Sequence, residues 1–102
     1  MIAAVLRARH QRAGRLAAVH ARPSADPVTR VAVVASRRVG GAVQRNRAKR
    51  LLREVSRGLP WVSNHDVVLV ARAGAARSSL AEVHSEVADL AAQLDLLQEV
   101  SV

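Results

Sequence analysis

Val31-Ala-Val-Val-Ala-Ser-Arg-Arg-Val-Gly-Gly-Ala-Val-Gln-Arg-Asn-Arg-Ala-Lys-Arg-Leu-Leu-Arg-Glu54 runs from an unbroken apolar segment, through a glycine pair, into a stretch with helical spacing. Val31–Ala35 is apolar at every position, which suits a strand buried on both faces rather than one with a wet side. Gly40-Gly41 breaks the chain. Residues from about Ala42 to Arg57 carry the period of a helix, ended by Gly58 and Pro60. A second continuously apolar segment, Asp66–Ala71, follows. Two apolar strands flanking one helix predict a strand-helix-strand crossover with the strands parallel.

Outward from this unit, residues 1 to 13 place Ile2, Val5 and Leu6 at helical spacing among Arg7, Arg9, His10 and Arg12. This predicts a short N-terminal helix with a basic outer face, stopped by Gly14. Leu16–His20 reads as a first strand, and Arg22-Pro-Ser-Ala-Asp-Pro27 as a turn, since proline interrupts a ladder. On the other side, Gly74 marks a turn and Ser79-Leu-Ala-Glu82 is a capping box. Leu80, Val83, Val87, Leu90, Leu94 and Leu97 then mark an amphipathic helix. Its outer face carries Glu82, Glu86, Asp89, Asp95 and Glu99, most of the chain's eight acidic residues. The expectation is a single domain over residues 1–102, an α/β (α+β) sandwich. A small central mixed sheet of about four strands would be covered by three helices.

The chain of 102 residues is half apolar, so a core is within reach without staples. Phe and Tyr are absent and Trp61 is the sole aromatic, leaving Val, Leu and Ala to build that core. Basic residues number 16 against 8 acidic, a net charge of +8, and Lys49 is the only lysine. Arginine offers a permanently charged planar fork that fits phosphate, although base composition of the genome could equally favour it over lysine. Without cysteine there are no disulfides or thiolate metal sites. No apolar run approaches the roughly 20 residues that span a bilayer. Met1–Leu6 is too short for a signal segment. A cytoplasmic protein with no membrane partner is expected.

On a helical wheel, Arg45, Asn46, Lys49, Arg50, Arg53 and Arg57 fall within an arc of about 140°. Ala48, Leu51, Leu52 and Val55 fall opposite. Arg47 lies off the row, near Glu54, and reaches around the flank or pairs locally. A solvated helix face normally mixes both signs at i,i+4. Here one Glu stands among the cations, so the row points to a polyanion, most plausibly RNA, rather than to water. Asn46 either bonds a base edge or sugar, or helps cap the helix. Gly40-Gly41 serves either a tight turn that needs positive φ or close approach of backbone N–H groups to phosphate.

The run Ser36-Arg-Arg-Val-Gly40, Ala42-Val-Gln-Arg-Asn-Arg-Ala-Lys-Arg50 and Arg53-Glu54, followed by Asp66-Val-Val-Leu-Val-Ala-Arg72, resembles the protein subunit of bacterial ribonuclease P. The likeness covers about residues 15 to 97. It implies a subunit that binds a catalytic RNA and assists removal of the 5′ leader from precursor tRNA. The RNA with its bound Mg2+ would do the chemistry, and the protein itself would need no cofactor, metal or small-molecule substrate. RNA contacts would map to Arg37, Arg38, Arg45, Asn46, Arg47, Lys49, Arg50, Arg53 and Arg57. A cleft for the single-stranded leader, formed by the sheet and the first helix, would draw on Arg7, Arg9, Arg12, Arg15, Val33 and Ser36. The resemblance also implies a left-handed crossover, against the usual rule. The chain departs from its relatives in lacking their N-terminal Asp-Phe pair and cleft aromatics. Leader binding would then rest on Arg stacking, backbone charge and aliphatic contact.

Catalysis by the protein alone has no support. His10, His20, His65 and His84 are scattered, and Ser36 has no base within the pattern. Two alternatives stand beside the leading reading. One is a general RNA- or DNA-binding module, or a degenerate relative that does not support tRNA processing. The other is a protein whose basic helix docks on an acidic protein surface.

Overall fold

The computed structural model describes residues 1–98. Its helices are α1 (Ile2–Arg7), α2 (Ala42–Gly58) and α3 (Leu80–Gln93), and its strands are β1 (Gln11–Ala13), β2 (Ala17–Pro23), β3 (Arg30–Ala35) and β4 (His65–Ala71). Single 3-10 turns at Arg37–Val39 and Ala75–Arg77 precede α2 and α3. The strands form one sheet in the order β1-β2-β4-β3. β3 pairs parallel to β4, with Ala35 opposite Ala71, and β2 pairs antiparallel to β4, with Ala17 opposite Ala71. The parallel pair joined through α2 is the crossover that the apolar segments predict.

Alternation along the strands sorts the sheet into two faces. Val19, Ala21, Val67, Leu69, Val31 and Val33 pack against Leu52 and Val55 of α2 and Val83 and Val87 of α3. Each fully buried Val or Leu in this layer contributes about 1.5–3 kcal/mol. The opposite face presents Ala18, His20 and Arg22 of β2, Asp66, Val68 and Val70 of β4, and Arg30, Ala32 and Val34 of β3. α1 lies against β2 and β4, with Val5 fully buried.

Several expectations are corrected. Val31–Ala35 is half-exposed rather than buried on both faces, because β3 is the sheet's edge; β4, at the centre, takes the buried position instead. The N-terminal helix stops at Arg7, and Gln11–Ala13 pairs as a strand against Ala18–His20. That pairing satisfies the backbone groups of Gln11–Ala13, whereas a longer helix would have had only Val5 buried along its length to the end of α1. Arg22 and Pro23 complete β2, so the turn begins at Ser24. There Ser24 N–H donates to the Asn64 carbonyl at 2.8 Å.

The helix α3 ends sooner than its apolar period suggests. Leu94 is its C-cap and Asp95 adopts φ 57, a left-handed conformation that turns the chain. Leu97 therefore leaves the helix and bridges to Trp61. Asp95 does not extend the acidic helical face, and Glu99 lies outside the described residues. The capping box is present: Ser79 accepts from Glu82 N–H at 3.1 Å, and Glu82 accepts from Ser79 N–H at 3.1 Å. Donation from the Ser79 N–H, and from its hydroxyl, holds the Glu82 carboxyl below its ordinary pKa. The acidic face is also broken at Glu86. Its carboxylate turns inward and accepts from the N–H groups of Arg15, Leu16 and Ala17 at 2.9, 2.6 and 2.7 Å.

Candidate nucleic-acid interface

α2 is anchored by Ala48, Leu52 and Val55, all buried. That pins its rotation, so the residues on the far side of the wheel face outward. Asn46, Lys49, Arg50, Arg53 and Arg57 line one groove along the exposed face, together with Glu54. Arg45 is half-buried at the start of this row. Among the described residues, ion pairs involve Asp66 alone, so no cation of α2 is neutralised by a carboxylate. The groove is a strip of fixed positive charge on a rigid support.

Arg47 does not pair with Glu54. Its Nε donates to the Ala76 carbonyl at 2.6 Å, which ties α2 to the 3-10 turn before α3. Its side chain borders Val43, Asn46 and Arg50 on the adjoining patch. Asn46 is not a cap either: Gly41 is the N-cap, and Asn46 sits a full turn inside the helix and exposed. The glycine pair has a conformational reason at Gly40, where φ is 138° and a Cβ would stand 2.9 Å from Gln44 Cβ. Arg37 and Arg38 lie exposed on the 3-10 turn that Ser36 caps, its Oγ accepting from Arg38 N–H at 3.3 Å.

The residues expected to form a leader cleft divide. Val33 packs toward the core and is not on the open face. Arg12, opposite Val19 in the register, points to the helix side, and its Nη1 donates to the Gln11 carbonyl at 3.0 Å. Arg7 and Arg9 are exposed at and beyond the end of α1. Arg15 and Ser36 do come together, joined by Arg38 and Arg72 around a pocket floored by Ala18, Val70 and Ala71. Arg72, which the sequence offers only as the end of the Asp66–Arg72 run, is not among the expected contact residues. The signal was available in principle: parallel strands end side by side, so the residues after Ala35 and Ala71 must be neighbours. Arg72 N–H donates to the Leu16 carbonyl at 2.9 Å, which brings the start of β2 to the same corner.

At the other end of the open face, Asp66 is buried between two arginines. Arg30 Nε donates to its Oδ1 at 3.1 Å, and Arg22 Nη2 to its Oδ2 at 3.4 Å. The hydrogen bond from Arg30, outweighing the cost of burial, holds the Asp66 carboxyl below the usual carboxylate range. A depressed folded-state pKa gives stability that is full above the unfolded value and lost as pH falls through the folded one. Asp66→Asn should therefore be destabilised against urea at neutral pH, and its deficit relative to wild type should shrink as pH is lowered through the acid limb. A deficit independent of pH would show that the carboxylate's charge contributes nothing. Nearby, burial lowers the His20 pKa, and its Nδ1 has no partner.

Trp61, the one aromatic, is spent on structure: its Nε1 donates to the Ser56 carbonyl at 2.9 Å and its ring packs against the core. Among the described residues no three His, Asp or Glu side chains converge as metal ligands would, and no helix is long and apolar enough to cross a membrane.

The sequence profile of the family Ribonuclease P matches residues 1–95. The match begins at the first residue, upstream of where the motif likeness starts. The ribonuclease P protein component of Dehalococcoides mccartyi is 40% identical over 88 residues, covering 86% of this chain and 73% of that protein. That of Caulobacter vibrioides is 44% identical over 77 residues, covering 69% and 52%. Among solved structures, the Staphylococcus aureus RNase P protein superposes with a TM-score of 0.80 at 19% identity, covering 95% of this chain and 91% of that one. The Thermotoga maritima RNase P protein gives 0.74 at 22% identity, covering 87% and 86%. At such identities these superpositions speak for the fold.

Proposed function

The chain belongs to the ribonuclease P protein family, and from that premise we propose that the cationic row of α2 is the face that docks on the ribonuclease P RNA. The protein is the ribonuclease P protein subunit and serves tRNA processing as part of an endoribonuclease holoenzyme. One observation carries the docking assignment. Lys49, Arg50, Arg53 and Arg57 share a groove on a helix whose other side is locked in the core, and none has a carboxylate partner among the described residues. Permanent guanidinium charges in a fixed row match successive phosphates, and their mutual repulsion is relieved when phosphates arrive.

The partners in the reaction are the RNA subunit and precursor tRNA. The corner pocket of Arg15, Ser36, Arg38 and Arg72 supports a second contact, to the backbone of the 5′ leader strand. Arg38 and Arg72 supply charge there, and the Ser36 hydroxyl keeps its proton free to donate. Hydrolysis falls to the RNA with its Mg2+; the protein's share is to join the RNA and steady the substrate.

Reconstitution tests this. The purified chain is mixed with a bacterial ribonuclease P RNA at low Mg2+, and cleavage of precursor tRNA is followed. Stimulation over RNA alone is expected. Binding without stimulation would reduce the protein to a general RNA binder, and no binding would remove the α2 assignment as well.

A further inference from the structure

Fifteen of the sixteen basic side chains are arginine; Lys49 is the exception, and it stands inside the cationic groove of α2. The two residue types are not chemically equivalent there. A guanidinium keeps its proton and its charge, whereas an ammonium that gives up a proton is a nucleophilic amine. Lys49 is therefore the one member of the row whose charge a simple acyl transfer erases.

The groove supplies the surroundings for such a transfer. It encloses about 510 Å3 and is lined by Asn46, Lys49, Arg50, Arg53, Glu54 and Arg57. Lys49 is half-buried in it, on a helix that Ala48 and Leu52 fix in the core. Arg53 lies one helical turn further on, where side chains are neighbours. Glu54 is the groove's one carboxylate, and among the described residues no acid forms an ion pair with Lys49. A hollow with a surplus of fixed cations collects small anions, and here they arrive beside an amine. Activated acyl groups are anions of this kind: their carriers are phosphate itself or thiols that bear phosphate.

We propose that Lys49 is an acyl-acceptor site, with Arg50, Arg53 and Arg57 holding the phosphate of a phosphate-bearing acyl donor. The unprotonated Nζ attacks the acyl carbonyl carbon. An N–C bond forms, the bond from that carbon to the carrier's oxygen or sulfur breaks, and its electron pair leaves with the carrier. The amine's proton passes to water. With an acyl phosphate, the guanidinium groups also meet the charge that develops on the leaving group. The product is a neutral amide in the middle of the row.

The consequence for function rests on the reading of α2 as the face that docks on the ribonuclease P RNA. Acylation removes one phosphate contact, and RNA already in place covers the amine. The modification thus selects free protein and weakens its entry into the holoenzyme.

The site itself is tested without RNA. The full chain is incubated at mildly alkaline pH with acetyl phosphate, with acetyl-CoA, or with the neutral N-hydroxysuccinimide ester of acetic acid. Acetylation at Lys49 is followed by fragmentation of the intact chain in a mass spectrometer. The rate with at least one phosphate-bearing donor should fall about 5-fold or more as salt is raised to about 0.5 M, because screening empties the groove of anions. The neutral ester should change by less than about 2-fold over the same range. Arg50→Gln combined with Arg53→Gln should slow the phosphate-bearing donor similarly and leave the neutral one alone. The two anionic arms tell which carrier the groove accepts. No salt-sensitive acetylation with either, or a double variant that reacts as fast as wild type, would overturn the proposal.

A second readout separates this site from the docking assignment. Protein acetylated at Lys49 should bind the RNA with a log–log salt slope flattened by about 0.9, and roughly 5- to 10-fold more weakly near 0.1 M salt. The same treatment of Lys49→Arg should leave that variant's own slope where it stood. Bound RNA should shield Lys49 from the donor. Groove-dependent acetylation with unchanged RNA binding would uphold the acyl site and remove Lys49 from the RNA contact.

Discussion

Alanine at Arg45, Arg50 and Arg53 together should flatten the salt dependence of binding to the ribonuclease P RNA by about 2 to 3 units of log–log slope. Wild type should start from a slope of about −4 to −5, the value for roughly six neutralised phosphates. Near 0.1 M salt the loss corresponds to on the order of 100-fold weaker binding. Folding should be unimpaired, since the row shares no ion pair with the rest of the described chain and its removal eases repulsion along α2. Replacing Arg47 instead should combine a smaller change in slope with reduced stability, because its Nε holds the Ala76 carbonyl. Binding isotherms at several salt concentrations, with thermal melts of each variant, provide the check. A slope unchanged in the triple variant would place the RNA subunit on another surface.

An acidic residue should matter to folding on the scale of a core side chain. Glu86→Ala strips the acceptor from three consecutive N–H groups, those of Arg15, Leu16 and Ala17. Leu16 and Ala17 are buried, so water reaches them poorly. An orphaned buried donor costs about 1–3 kcal/mol, and the total should be roughly 2–4 kcal/mol. For a domain of this size the melting temperature should fall by about 10 °C or more. Glu86→Gln keeps one acceptor oxygen and should lie between. Gly14→Ala offers an independent route to the same state, since a Cβ there would stand 2.5 Å from the Glu86 carboxyl carbon and displace it. Melting of the three variants decides the matter. A Glu86→Ala protein as stable as wild type would mean that these bonds are replaced by solvent at no cost.

Glu86 also shows where reading along the chain fails. By spacing it belongs to the outer, acidic face of α3, with Glu82 and Asp89. Its actual role depends on the segment Gly14–Ala17 arriving beside it, some seventy residues away in sequence. Asp66 is a similar case. Written as the first residue of an apolar run, it reads as a strand start. Only the order β2-β4-β3 puts an arginine on each side of it. Arg72 becomes part of a site because two parallel strands end together, and Val33 leaves the expected cleft because its position in the pleat turns it inward.

What the sequence determined by itself is local. The helix α2, its division into a buried and a cationic side, the capping box of α3 and the two apolar strands all follow from periodicity and short-range chemistry. Those signals lie within a few residues of one another. The motif from Ser36 to Glu54 added the family, because an ordered run of that length carries its own identity. The tertiary structure alone decided which apolar strand is central and which is edge, that Gln11–Ala13 is a strand, and which charged groups meet. Those outcomes depend on pairings between distant segments, where many registers satisfy the same local pattern and only the assembled sheet selects one.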